Sequence, residues 1–508
     1  MLDIFASDNT IELVREIIAS EERLDELVSV HHSLESAPTD RADSLVVDAR
    51  GISQPIDWAN LAPPYLLPQG IPLSPATLLG LIFSKLDNGE KAWHYLKTHP
   101  SLIFETGLAS RLQYGYEIDL SELTDLKDTA DPVTPFEQYR RIHNIAIVGH
   151  YGYLQSGIQI ETLKAYYQQA LADAPNAAYR AYSLQHYAGF LLDGEDARSA
   201  EALLLEQLEQ DLPEAARISL KRMLTDAWMK QLTVPYDQDL LHRLKQTLWE
   251  VLQYNEQHDR RAETGLLLID AAHIANISES FSEALGYISR AIGIFESEEL
   301  EELAGQAHLR KGTLLYTWAQ QGNPQFYKPA IESYQQALKV FRQEETPDVF
   351  ADIHHNLAVL YSEMPADSKK KGIWAGVASA SFQEALQYYT KDFFPYEYGM
   401  ICNNYGNALT KFPQAIHSDN YEKALFYYQE ALQVRTAAYP YERAITLLNY
   451  LEASWKVSND TDDFNEKRFR DMVAKAQEVK QLVGEADMIR EADKHLELLE
   501  QLKTAAVK

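Results

Sequence analysis

The 508-residue chain has a single cysteine, Cys402, which excludes an intramolecular disulfide and a cysteine-rich zinc site. That usage suits a reducing compartment. Basic residues are also scarce. Lys and Arg number 46 against 75 Asp and Glu, a formal net charge of −29. Such a charge repels phosphate backbones and anionic lipid surfaces, so neither nucleic acid nor a membrane is expected as a partner. No apolar run approaches the roughly 18 residues that cross a bilayer. The opening residues, MLDIFASDNTIELVREII, carry acids where a secretory leader carries bases and lack its continuous apolar core. A cytoplasmic protein is the expectation. Catalytic signatures are missing too. There is no glycine-rich phosphate loop, no G-x-G-x-x-G opening a helix after a strand, no H-E-x-x-H and no G-x-S-x-G. His31–His32 and His354–His355 are adjacent pairs, and neighbours on a helix point in different directions, so they chelate poorly. The carboxylates are too numerous for any pair to stand out as acid and base. No enzyme, cofactor or metal is expected.

What the chain has is a repeat. An alanine, three residues, a large apolar side chain, two residues and a second alanine recur. The pattern occurs at Ala284-Ile288-Ala291, Ala330-Tyr334-Ala337, Ala378-Phe382-Ala385 and Ala424-Tyr428-Ala431, with steps of 46, 48 and 46 residues. Spacings of four and three put these side chains on one helix face. Small residues there admit a neighbouring helix, and the aromatic fills the space beside it. A second helical pattern precedes each, with Gly312, Ala358 or Gly406 where the two helices would cross. Pro347, Pro395 and Pro440 follow the alanine-bearing helices, as residues that stop a helix or open the next.

These residues resemble the tetratricopeptide repeat (TPR) family, and in particular bacterial-type arrays with extended turns between helix A and helix B. Two units, around Ala272 with Ala284 and Ala188 with Ala200, keep that family's twelve-residue gap from small residue to alanine. Three others lengthen it to 18, 20 and 18 residues, through turns such as GNPQFYKP, MPADSKKKGIWAG and KFPQAIHSDN. An earlier unit ends with Leu163-Tyr167-Ala170-Leu171, and residues 214–258 form a more divergent hairpin. The resemblance implies an all-α protein, a right-handed α-solenoid of TPR-like hairpins with helical caps. The expected division is an N-terminal capping region at 1–130, repeats at 131–460 and two charged capping helices at 461–508. Residues 1–36 suggest one or two amphipathic helices, with Ile11, Leu13, Val14, Ile17 and Ile18 on the apolar side. The proline-dense stretch 37–76 reads as loop or extended chain.

In the TPR family helix A lines a concave groove, and an asparagine at its sixth position grips the backbone of an extended peptide. By offset those positions are Asn356, Asn404 and Asn449. An amide offers both donor and acceptor, so it pairs with a peptide unit whatever its side chain. The alternative is an amide bonded to an adjacent helix within the array. The same register brings Arg310, His355, Asn403, Asn407 and Lys411 to the groove. Arg310 and Lys411 fall short of the three or more basic residues that clamp a partner's terminal carboxylate. The acidic balance favours a protein or peptide with some basic character. Cys402 sits at position four of a helix A, a packing position. Trp374 and Phe394 lie in or near connections, where returning to pack on their own repeat is the plainer role. The function implied is a non-enzymatic scaffold that binds an extended peptide or partner protein in the groove. Two alternatives stand beside it: a peptide-sensing switch of a separate effector, and an enzyme with an unrecognised site in 1–130. The stretch PPYLLPQGIPLSP at 63–75 is extended enough to fill the groove itself, though a linker is the simpler reading.

Overall fold

Short strands, not helices, open the chain. The computed structural model describes residues 2–32, 44–59, 63–119, 122, 134–154, 158–365, 367–413, 419–457 and 465–506. It divides into two units, residues 1–258 and 259–508. In the first, β1 (Leu2–Ala6) leads through α1 (Ile11–Ala19) to β2 (Val28–His32), followed by β3 (Ser44–Asp48) and β4 (Gly51–Ser53). The sheet order is β2-β1-β3-β4, with β1 parallel to β2 and β3, and β4 antiparallel to β3. This corrects the helical expectation for residues 1–36. Strand β1 is central and covered on both faces, so Ile4, Phe5 and Ala6 are all buried and no alternation marks it as a strand. The apolar stripe of α1 is real for Ile11, Val14, Ile17 and Ile18, whereas Leu13 faces solvent. Helices α2 (Pro75–Lys85), α3 (Gly89–Leu96) and α4 (Pro100–Tyr114) complete this core with Leu78, Leu79, Ile82 and Leu96.

Between Gln54 and Ser74 the described chain has no helix; it returns to β4 through a bridge from Ile71 to Ile52. Strand β5 (Glu117–Ile118) later pairs with β6 (Tyr153–Leu154). Three helical hairpins finish the unit: α5 (Pro135–Tyr151) with α6 (Ile160–Asp173), α7 (Ala177–Asp193) with α8 (Ala197–Leu208), and α9 (Glu214–Gln231) with α10 (Gln238–Gln257).

The second unit is an α-solenoid of TPR-like hairpins. Its pairs are α11 (Arg261–Ile277) with α12 (Phe281–Ser297), α13 (Glu301–Gln320) with α14 (Tyr327–Val340), α15 (Pro347–Glu363) with α16 (Ser368–Tyr388), and α17 (Pro395–Lys411) with α18 (Asn420–Val434). Helices α19 (Pro440–Ser454), α20 (Glu466–Leu482) and α21 (Ala486–Ala506) close it. The recurring alanine and aromatic positions are all buried. At Gly312 and Gly406 a Cβ would stand 2.8 and 2.4 Å from the rings of Tyr334 and Tyr428, so the aromatic of helix B occupies the space that the glycine leaves. Pro347, Pro395 and Pro440 each open an A helix, where the missing N–H costs nothing. Of the lengthened turns, residues 368–376 are already helix α16, a 3₁₀ turn precedes α14, and 414–418 lie outside the described residues. Consecutive A helices α11, α13, α15, α17 and α19 touch one another, and each B helix packs on its own A helix and the next. The A helices therefore share one continuous face.

Candidate functional site

On that shared face, the side chains at the predicted register meet different fates. Asn356 on α15 is half-buried and makes no hydrogen bond among the described residues. Asn404 on α17 is also half-buried, and its Nδ2 lies 3.0 Å from His355 Nε2 on α15. Asn449 Nδ2 on α19 donates to Asn403 Oδ1 at 3.1 Å, and Asn403 Nδ2 approaches Asn404 Oδ1 at 3.5 Å. These four side chains stitch three successive A helices together. Burial pushes the His355 pKa down to about 4, so its ring is neutral and Nε2 accepts from Asn404. Asn407 is turned inward on its own hairpin, its Oδ1 accepting from Tyr428 OH at 2.8 Å. Arg310 is exposed on α13. Lys411 pairs with Glu363 at 3.0 Å, and Glu363 also accepts from Tyr316 OH at 2.7 Å and Gln320 Nε2 at 3.2 Å. This second polar seam ties the C-terminal ends of α13, α15 and α17. Beside it, Glu363, Tyr361, Trp374, Lys371 and Lys411 line an open cleft of about 550 Å³.

The reactive candidates are quiet. Burial raises the Cys402 thiol to about 12, so it keeps its proton at neutral pH. His354 turns to Phe350 and His355 to Phe382, in different directions. No cluster of three metal-capable side chains occurs among the described residues. Trp374 stacks on Tyr361 at 5.3 Å and Phe394 on Tyr388 at 5.0 Å, both within their own repeats.

The amide grip expected of the second unit is formed in the first. Arg140, His143 and Asn144 share one face of α5, at spacings of three and four. Across them runs the proline-rich segment. Leu66 N–H donates to Asn144 Oδ1 at 2.9 Å, and Asn144 Nδ2 donates back to Leu66 O at 2.8 Å. Arg140 Nη1 adds a bond of 3.0 Å to the same carbonyl. His143 Nε2 donates to Pro64 O at 2.9 Å, which leaves Nδ1 to accept from Ser183 Oγ at 2.8 Å. Burial, opposed by that carbonyl and reinforced by the Arg140 charge, lowers the His143 pKa to about 4. Arg140 is itself buried and paired with Glu105 at 2.8 Å and Glu137 at 2.9 Å, while Tyr65 OH donates to Glu105. Sequence reasoning missed Arg140, His143 and Asn144. The signal was there: three polar residues at i, i+3 and i+4 on a helix otherwise rich in isoleucine.

A family model described as soluble NSF attachment protein, SNAP, matches residues 245–403. No curated protein matches the chain. Among solved structures, the chain is similar to a human IFIT1 dimer with m7Gppp-AAAA, at 16% identity over 84% of this chain and 90% of that one, TM-score 0.38. It is also similar to the P58(IPK) TPR domain, at 14% identity over 80% and 97%, TM-score 0.22. A circular tandem repeat protein with novel repeat topology aligns at 12% identity over 85% and 95%, TM-score 0.18.

Proposed function

We propose that the second unit is a non-catalytic docking module that holds an extended segment of a partner protein along its A-helix face. Arg310 and Asn356 make the contacts, while Asn404 is held in the lateral bonds of the helix row. One observation carries the reading: an asparagine on an A-type helix of this same chain, Asn144, already clasps an extended backbone through both its donor and its acceptor. Asn356 presents the same group, with no side-chain hydrogen bond among the described residues. The net charge of −29 favours a segment with basic character. The similarity to a SNAP family model, described as an attachment protein, fits the same class of role. A lone, buried thiol suits a cytoplasmic setting.

The test is an array of extended peptides probed with the full chain and with Arg310→Ala/Asn356→Ala. Losing a two-bond amide clasp and a charge lowers affinity roughly tenfold. Stability stays within about 0.5 kcal/mol, the usual range for such surface changes. Equal capture by the two proteins would refute the groove.

A further inference from the structure

A different surface of the second unit shows its own repeat. The sequence Phe394-Pro395-Tyr396-Glu397 recurs 45 residues later as Tyr439-Pro440-Tyr441-Glu442, at the turns that open α17 and α19. Proline sets the first helical residue in each, and while Phe394 packs on Tyr388, Phe393 and the tyrosines at the two turns are thrown outward. Phe393, Tyr396, Tyr439 and Tyr441 are 81, 42, 39 and 49% exposed, which packing alone does not account for. Tyr396 and Tyr439 stand 5.4 Å apart, so the two turns form one ledge.

The charge around the ledge that lacks an ion-pair partner is acidic. Among the described residues Asp348, Asp392, Glu397 and Glu442 form no ion pair, and Asp348 and Glu397 both act on the carboxyl of Asp352, whose pKa is raised by burial first and then by these like charges. The nearby cations are already engaged. Lys391 faces Glu430 at 3.7 Å, and Arg435 is buried and bonded inward to Thr446 and the Glu442 carbonyl, so its charge reaches Glu442 and Tyr396 only from beneath the ledge and forms no ion pair with Glu442. Tyrosine faces beside unneutralised carboxylates are a binding surface for guanidinium groups, which stack on rings and bond to carboxylates at once; an ammonium does the second but stacks less well.

We propose that this ledge is a second docking surface, separate from the A-helix face, for an arginine-bearing extended segment of a partner protein. The probes are two labelled eight-residue peptides alternating glycine with arginine or with lysine, titrated by fluorescence anisotropy against the full chain. The arginine probe binds at least about fivefold more tightly than the lysine probe. Tyr396→Ala/Tyr441→Ala, which leaves the net charge unchanged, weakens the arginine probe about tenfold and closes the gap, while Tyr396→Phe/Tyr441→Phe retains most of the binding. A melting curve for each variant checks that the fold persists. Equal binding of both probes, or an unchanged affinity in the alanine variant, means bulk charge only and overturns the proposal. Loss of the arginine probe in Arg310→Ala/Asn356→Ala but not in the tyrosine variant puts the probe on the A-helix face and overturns it as well.

Discussion

Replacing Asn144 by alanine tests the amide grip where every contact is defined. The change removes two bonds to the backbone of one residue, Leu66. Leu66 O keeps its bond to Arg140, so that half costs about 1 kcal/mol. Leu66 N–H is left buried with no acceptor, which adds roughly 1–3 kcal/mol. The sum is about 3 kcal/mol. For a cooperative unit of this size that corresponds to a fall of roughly 6–12 °C in the melting transition of the first unit. Calorimetry of the full chain measures it. Limited chymotrypsin digestion gives an independent reading, because Tyr65 and Leu66 are buried against α5 and become cleavable once the segment detaches. Asn356→Ala serves as the contrast, since its amide has no bond among the described residues to lose and its melting point should hold. A shift within about 1 °C for Asn144→Ala, with no new cleavage near Tyr65, would refute the claim that the amide holds the segment.

Three further expectations follow from the same geometry. Gly406→Ala drives a methyl against the Tyr428 ring and destabilises by roughly 1–3 kcal/mol, whereas Gly376→Ala, with open space around it, is neutral or stabilises by up to about 1 kcal/mol; urea melts of both variants decide it. Arg140→Met strands the buried Glu105 carboxylate and costs about 3–5 kcal/mol, and adding Glu105→Leu recovers most of that loss; a double variant no more stable than the single one would contradict it. Burial holds His143 and His355 near pKa 4, below the value of about 6.5 in an unfolded chain. Between these values the unfolded state binds the proton and the native state does not. Their contribution is therefore complete above about pH 6.5 and is lost as pH falls toward 4, by roughly 2–3 kcal/mol per histidine at pH 4.5. Urea titrations at pH 7 and 4.5 measure it, and His355→Gln should flatten part of the slope.

The helical repeats were legible because their signal is local and repeated. A buried alanine and a large apolar side chain at fixed spacing recur in every hairpin of the second unit, and one accident does not produce four. The N-terminal sheet was not legible. Its strands are three to five residues long, and β1 is buried on both faces, so neither length nor alternation separates it from a helix segment. The stripe at Ile11, Val14, Ile17 and Ile18 gave a helix correctly, but what it packs on is set by strand pairings between residues 26 and 41 positions apart. No local pattern encodes those pairings.

The candidate site divides along the same line. Register placed Asn356, Asn404 and Asn449 on consecutive A helices, but register does not say whether an amide finds a neighbour there. Where two successive A helices both carry polar side chains at matching levels, they bond laterally, as His355, Asn404, Asn403 and Asn449 do. A ligand that engages Asn404 or Asn449 must exchange an existing bond for a new one, so the gain is near zero. At Asn356 no such bond exists among the described residues, and in the proposed docking a peptide unit there would exchange only water. The same logic explains Asn144: its level on α5 is met by an extended segment instead of a polar neighbour, and it spends both halves of its amide on that backbone. Lateral bonding thus makes most of the asparagine row a structural seam, and on the proposed docking role the free energy of binding falls on Asn356, whose amide has no bond among the described residues. By this reasoning Asn356→Ala alone should account for most of the affinity lost in Arg310→Ala/Asn356→Ala on the peptide array. Asn449→Ala should act on the melting point and leave capture unchanged.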